Sequence, residues 1–347
     1  MLSDAFVLIG TGREAVRHLP SRRFFLNNLV YGPEMVERPL VYVLEQIAPS
    51  AIATLRQSCD VVEPGDARRD KWPEDAHGII VRTSKVSADL LEAAVRLKVV
   101  GKHGAGVDNI DLDAARARGI AVVSTPGANA NAVAELAVGM ALSVARRISL
   151  LDRLLRGGGL SGSPPQGFEL SGRTVGVVGM GSVGRRTALL FKNAFGAPLL
   201  AFDPFAPDAA FAGIGAERYT SLDAMLPQVD LLTLHIPLTA DTANLIDGRR
   251  LGLMRREAIL LNLSRGGIVD ETALHAALGE GVIAGAASDV FVDEPPSPDH
   301  PLLGLDNFVA TPHTGAATSE SMERMGMEVV AGVVAFLNGE TPRHRVV

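Results

Sequence analysis

The stretch Thr174-Val175-Gly176-Val177-Val178-Gly179-Met180-Gly181-Ser182-Val183-Gly184 decides how this chain reads. Thr174–Val178 is a short valine-rich run, the pattern of a strand buried on both faces. A G-x-G-x-x-G turn follows at Gly179, Gly181 and Gly184, and Ser182–Ala194 reads as a helix. Alone, such a turn says little. Between a strand and a helix, with an acid closing the next strand, it reads as a dinucleotide-binding turn. The first glycine permits the tight turn, the second lets backbone approach a pyrophosphate, and the third lets the helix pack on the sheet. The helix start offers free N–H groups and partial positive charge to phosphates. Asp203 closes the next strand, Pro198–Phe202, 19 residues after Gly184. Its carboxylate suits the ribose hydroxyls of NAD and would repel the 2′-phosphate of NADP.

Strands and helices alternate outward from this turn. Downstream, Leu222–Leu226, Gly248–Leu253 and Glu271–Leu278 read as helices, and Asp230–His235, Ala258–Leu263, Ala284–Ser288 and Phe308–Ala310 as strands. Upstream, Leu40–Leu44, Gly78–Val81, Leu97–Val100 and Ile120–Val123 read as strands, with helices at Pro49–Gln57, Ala88–Val95 and Leu112–Arg118. Asn131–Ile148 is a long alanine- and valine-rich helix, N-capped by Asn131 and ending at Arg146 and Arg147. Apolar around much of its circumference, it must be buried by another domain or subunit. Gly157–Pro165 reads as a flexible connector, and Ser319–Leu337 as a final helix. The expected fold class is α/β, with two doubly wound parallel-sheet domains and a cleft between them.

Composition narrows the function. The 347 residues are 47% hydrophobic, enough for two cores, and the formal net charge is −6. An acidic balance without a Lys/Arg cluster argues against a nucleic-acid partner. No apolar run is long enough to cross a bilayer, so no membrane partner is expected. Cys59 is the only cysteine, which excludes an intrachain disulfide or a cysteine-based metal site and points to the cytoplasm. Residues 1–38, with five arginines among Asp4, Glu14, Glu34 and Glu37, read as a surface extension, with a targeting arm as the alternative. Trp72 reads as part of a polar loop, and His275 and His300 as ordinary loop or surface residues.

Several further motifs stand in fixed order. They are Gly101-Lys102-His103-Gly104-Ala105-Gly106-Val107-Asp108-Asn109-Ile110-Asp111, Thr125-Pro126-Gly127-Ala128-Asn129, His235-Ile236-Pro237-Leu238-Thr239, Asn262-Leu263-Ser264-Arg265-Gly266-Gly267, Asp289-Val290-Phe291-Val292-Asp293-Glu294-Pro295 and Thr311-Pro312-His313. With the glycine turn, they make the chain resemble the D-isomer-specific 2-hydroxyacid dehydrogenases, especially their phosphoglycerate dehydrogenase-like branch, from Leu40 to about Arg345. The resemblance implies a flavodoxin-like substrate domain, 39–130 and 316–347, around a Rossmann NAD-binding domain, 131–315. It also implies a homodimer with contacts through the alanine-rich helix, and no serine-sensing extension after Arg345.

The implied reaction is hydride transfer between NAD and C2 of a small anionic 2-hydroxy or 2-oxo acid, with no metal. Arg265 would hold the carboxylate and polarise the carbonyl, since a guanidinium fork can do both. His313 would be the acid/base, and Glu294 would fix its tautomer. Formate-oxidising relatives carry glutamine in place of that carboxylate, so Glu294 favours a hydroxy acid; phosphite oxidation stays compatible. Gly104, Ala105 and Gly106 would cradle the substrate carboxylate. Arg82 and Lys102 match positions that serve a substrate phosphate, although lysine replaces the usual arginine. His103 either touches substrate or packs. Ser182 and Val183 would meet the pyrophosphate, and His235, Ile236, Pro237, Leu263 and Ser264 would wall the cofactor. Asp289 would hold the nicotinamide amide, with Gly315 and Ala316 near the ring. 3-Phosphoglycerate is the best single substrate guess. The alternative is an NAD(H)-sensing protein like the C-terminal-binding corepressors, without significant turnover.

Overall fold

The computed structural model describes residues 38–159 and 162–347. The reading of residues 1–37 as an extension therefore lies outside the described residues.

Two parallel sheets organise the chain. The first holds β1 (Leu40–Val43), β2 (Asp60–Val62), β3 (Gly78–Val81), β4 (Val99–Lys102) and β5 (Ala121–Val123), in the order β2-β1-β3-β4-β5. The second holds β6 (Val175–Val178), β7 (Leu199–Phe202), β8 (Glu217–Tyr219), β9 (Leu231–Leu234), β10 (Ile259–Asn262), β11 (Gly285–Ser288) and β12 (Phe308–Ala310), in the order β12-β11-β10-β9-β6-β7-β8. The first order is flavodoxin-like. The second is a Rossmann order with one strand added, so the expected fold class is the one observed. In each sheet the order reverses beside one strand, and ligands bind beyond the carboxyl ends there. Those points lie between β1 and β3, and between β6 and β9.

The central strands read as continuous apolar runs because helices cover both faces. Helix Ser319–Leu337, capped by Thr318, sends Val329, Val330 and Val333 into the first sheet's core beside Val41, Ile80 and Val99. Val133, Ala137, Met140, Ala141 and Val144 of the long helix enter the core of the second sheet with Val177, Phe191 and Leu261. Its small residues let it pack close to helix Ser182–Phe195, so much of its apolar surface is covered within this chain.

Several local readings need correction. The long helix runs Ala130–Ala145, with Asn129 at its N-cap rather than Asn131. It stops before Ile148 because Arg147 turns left-handed at φ 53. A second helix, Ile148–Arg156, continues past Ile148 where no helix was expected, and Leu150 is its one buried residue. Trp72 is buried in the short helix Trp72–Asp75, packed in the core with Tyr42 and Leu91. A single ring supplies that much apolar area without any periodic signal. The edge strands β2 and β8, three residues each, are too short to show alternation. Among the described residues no helix is long and apolar enough to cross a membrane.

Candidate active site

The glycine turn sits at the carboxyl end of β6. Gly179 holds φ 95, and a side chain there would overlap the His235 carbonyl arriving from β9. A side chain on Gly184 would overlap the Gly179 carbonyl, so helix Ser182–Phe195 starts tight against the turn. At Gly181, by contrast, an added Cβ would meet nothing within 4 Å. Gly181 and Ser182 are exposed, and no side chain caps the helix start. The turn therefore offers backbone donors on an open side, which fits a dinucleotide pyrophosphate. Asp203 anchors the turn. Its Oδ2 accepts from Met180 N at 2.8 Å, and its Oδ1 from Phe205 N and Ala206 N at 2.9 and 3.1 Å. Such a carboxylate can accept about four hydrogen bonds, so capacity remains for a ribose hydroxyl.

The surrounding residues form walls. Ile236 lies against Gly179, half-buried, while Pro237 is exposed. Leu263 and Ser264 are buried, and the Ser264 hydroxyl donates to Asn262 Oδ1 at 2.9 Å. The His235 ring pairs only with Thr233, Nε2 to Oγ1 at 2.9 Å, and burial pushes its pKa down to about 3. Burial thus favours the neutral ring.

Arg265, Glu294 and His313 come together beyond β10, β11 and β12. His313 Nδ1 lies 2.7 Å from Glu294 Oε2, with the two side chains 49% and 36% exposed. Burial alone would raise the Glu294 carboxyl. The His313 ring, the Phe291 N–H at 3.1 Å and the charge of Arg265 outweigh it and hold the group below its usual value. His313 has φ 53, uncommon for a residue with a side chain. Asp289 holds it there from below. Its carbonyl accepts His313 N at 2.7 Å, and its carboxylate accepts Thr311 Oγ1, Thr314 N and Gly315 N at 2.5–2.8 Å. Asp289 is 2% exposed and engaged in shaping this loop. Gly315 is buried and Ala316 half-buried beside it.

The first sheet contributes the other wall. Arg265 reaches across to it: Nε donates to Asp108 Oδ2 at 2.8 Å, while Nη1 donates to Ser264 O at 2.6 Å. Its Nη2 lies over Gly106, where a Cβ would overlap it. In the Gly104-Ala105-Gly106 turn, Thr125 Oγ1 takes the Gly104 N–H at 3.0 Å. The Ala105 and Gly106 N–H groups have no acceptor among the described residues. Lys102 is held by the protein itself. Its Nζ donates to Arg82 O at 2.5 Å and Asn109 Oδ1 at 2.6 Å, and burial, then the Arg265 charge, push its pKa down to about 8. Arg82 itself is half-buried. His103 is 2% exposed, with Nε2 3.4 Å from Met322 O in the last helix, so of its two readings the structure supports packing.

Two acids beside the site carry contacts that the sequence did not announce. Asp108 stood inside a quoted motif, yet nothing marked it as the counter-charge of Arg265, 157 residues away. Glu45, just past β1, accepts from the N–H groups of Arg82, Thr83 and Ser84 at 3.0, 2.8 and 2.5 Å. An acid at a strand end beside the sheet's switch point was the available signal.

Residues 138–315 match the family model described as D-isomer specific 2-hydroxyacid dehydrogenase, NAD binding domain. The chain is 38% identical over 301 residues to a D-3-phosphoglycerate dehydrogenase of Methanocaldococcus jannaschii, covering 86% of this chain and 56% of that protein. It thus spans little more than half the length of that relative. It is 38% identical over 324 residues to a glyoxylate reductase of Thermofilum pendens, covering 88% of this chain and 93% of that protein. Among solved structures it resembles the NADPH-dependent glyoxylate/hydroxypyruvate reductase of Sinorhizobium meliloti in complex with NADP and malonate. There the TM-score is 0.78 at 31% identity, covering 89% of this chain and 97% of that one.

Proposed function

Because the chain belongs to the D-isomer specific 2-hydroxyacid dehydrogenase family, we propose that it interconverts a small D-2-hydroxy acid and its 2-oxo acid with NAD(H). The observation that carries this reading is the His313–Glu294 pair at 2.7 Å, close to Arg265, at the carboxyl edge of the glycine-turn sheet. Gly179, Gly181, Ser182, Val183, Gly184 and Asp203 would hold the dinucleotide, and Asp203 favours NAD over NADP. When bound, the nicotinamide supplies or accepts the hydride at substrate C2.

The protein's residues handle the rest. Arg265 Nη2 and the Ala105 and Gly106 N–H groups hold the substrate carboxylate, and the guanidinium polarises the C2 carbonyl. In reduction, His313 gives a proton from Nε2 to that oxygen; in oxidation it takes the proton back. Glu294 keeps the ring's Nδ1–H pointed away from substrate. Asp108, paired with Arg265, sets the guanidinium plane.

The family resemblance points first to 3-phosphoglycerate. The geometry of Lys102 favours a more compact substrate, the size of glyoxylate or hydroxypyruvate. Two of its three N–H donors serve Arg82 O and Asn109, so it does not stand free for a phosphate. A homodimer through the long helix fits the half-buried Leu136, Val138 and Leu142 and the exposed Ile148 and Leu155 beyond it. NADH oxidation with glyoxylate, hydroxypyruvate and 3-phosphohydroxypyruvate tests the proposal. The expected order of kcat/KM puts the two smaller acids above the phosphorylated one. NADH binding with no turnover of any 2-oxo acid would instead support a corepressor-like sensor.

A further inference from the structure

A second imidazole–carboxylate pair lies behind the first. His300 Nε2 sits 3.2 Å from Glu271 Oε2, and both side chains are mostly covered, 18% and 21% exposed. Glu271 opens helix Glu271–Gly279, whose N-cap is Asp270. Its other oxygen, Oε1, accepts from Val292 N at 2.9 Å. The His300 ring stands edge-on to Phe291, with centroids 5.4 Å apart, and its Nδ1 accepts from Leu302 N at 3.3 Å. With Nδ1 accepting, the neutral ring carries its proton on Nε2 and donates it to Glu271.

Both contacts fall on the turn that carries Glu294. Val292 is held by its N–H and Phe291 by its ring. The Phe291 N–H in turn donates to Glu294 Oε1 at 3.1 Å, while Oε2 faces His313. The Phe291 carbonyl lies so close to Gly266 that a side chain there would overlap it, which ties the turn to the residue after Arg265. The path therefore runs from Glu271 to the Val292 N–H, along the backbone to Phe291, and through the Phe291 N–H to Glu294 and His313. The other charged group acting on Glu294 is Arg265.

We infer that Glu271, backed by His300, is a positioning residue: it fixes the Phe291–Glu294 turn so that the Glu294 carboxylate meets the His313 ring. Glu271 touches neither substrate nor cofactor in this scheme. The inference rests on the acid/base reading of His313 given above. Nothing in the family motifs marks Glu271 for this task; the contact to Val292 N does.

The test uses Glu271→Asp and Glu271→Gln in the full chain. Aspartate keeps the negative charge at the helix start, which favours the helix, but withdraws the oxygen from Val292. Glutamine keeps, at the same reach, one amide oxygen that accepts from Val292 N, and gives up only the acceptor that faced the His300 N–H. Two readouts are needed: kcat for 2-oxo acid reduction, and the Nδ1–H to Nε2–H tautomer ratio of neutral His313 by nitrogen-15 NMR without substrate. Glu271→Asp is expected to lower kcat roughly tenfold, part of the 10²–10⁴-fold typical of positioned proton transfer, and to move His313 toward the Nε2–H tautomer. Glu271→Gln is expected to restore most of both, with NADH affinity within about twofold throughout. A wild-type tautomer ratio in Glu271→Asp, or Glu271→Gln behaving like Glu271→Asp, would overturn the inference. If the tautomer moves but no 2-oxo acid is turned over by the wild type, the positioning stands and the proposed reaction fails.

Discussion

Two imidazole–carboxylate pairs among the described residues, His313–Glu294 and His300–Glu271, differ in what surrounds them. His313–Glu294 lies partly exposed at 2.7 Å, on a loop with left-handed backbone at His313. His300–Glu271 lies largely covered at 3.2 Å, with one ring nitrogen accepting from backbone and one carboxylate oxygen holding a turn. In the first pair the imidazole's outer nitrogen has no acceptor or donor among the described residues. In the second every nitrogen and oxygen has a structural partner. An imidazole beside a carboxylate is therefore not by itself an acid/base site; the free ring nitrogen and its access decide.

The largest effect should come from removing the accessible imidazole. His313→Gln is expected to lower kcat by roughly 10²–10⁴-fold while NADH binding persists. Steady-state kinetics with fluorescence titration of NADH checks this, and an unchanged kcat would erase the distinction between the pairs.

Glu294→Gln should act less strongly, with kcat down by roughly 10–100-fold, because the ring survives but loses its orienting charge. The pH dependence sharpens the point. A carboxyl held below its usual value adds stability above the unfolded value, about 4.3, and loses it as pH falls through the lower folded value. Wild-type stability should therefore drop in that acid window, and Glu294→Gln should flatten the drop. Urea unfolding across the acid range measures it.

His300→Asn should leave kcat within about threefold while lowering Tm by about 2–4 °C, the loss expected from one hydrogen bond of about 1 kcal/mol. The smallest effect concerns a third ring. His235, buried and pushed down to about 3, should leave the shape of the pH–rate profile unchanged when replaced by Asn. A changed profile would mean that burial does not silence an imidazole here.

The sequence made much of this legible, for identifiable reasons. The glycine turn could be read because its glycines answer separate steric demands: the structure crowds Gly179 and Gly184 with backbone and leaves Gly181 open on the exposed side. The central strands could be read because burial on both faces leaves runs of valine and leucine. His313, Glu294 and Arg265 lie at strand ends in ordered motifs, and the fold brings them together.

What escaped was set by tertiary contact. Lys102 matches a phosphate-ligand position, and only the folded chain shows that Arg82 O and Asn109 Oδ1 also hold its ammonium. His300 looked like a loop residue until Glu271 and Phe291 folded around it. Trp72 sat among charged neighbours with no periodicity, and the helix after Arg147 depends on one left-handed residue that no local pattern announces.

The central claim is that this constellation delivers a hydride and a proton to a 2-oxo acid. Incubation with NADH deuterated at nicotinamide C4, on the transferred face, and glyoxylate or hydroxypyruvate tests it directly by mass spectrometry of the product. The expected product is a 2-hydroxy acid carrying one deuterium at C2, formed by the wild type and nearly lost in His313→Gln. Reduced product without the label, or no product from any 2-oxo acid, would contradict it.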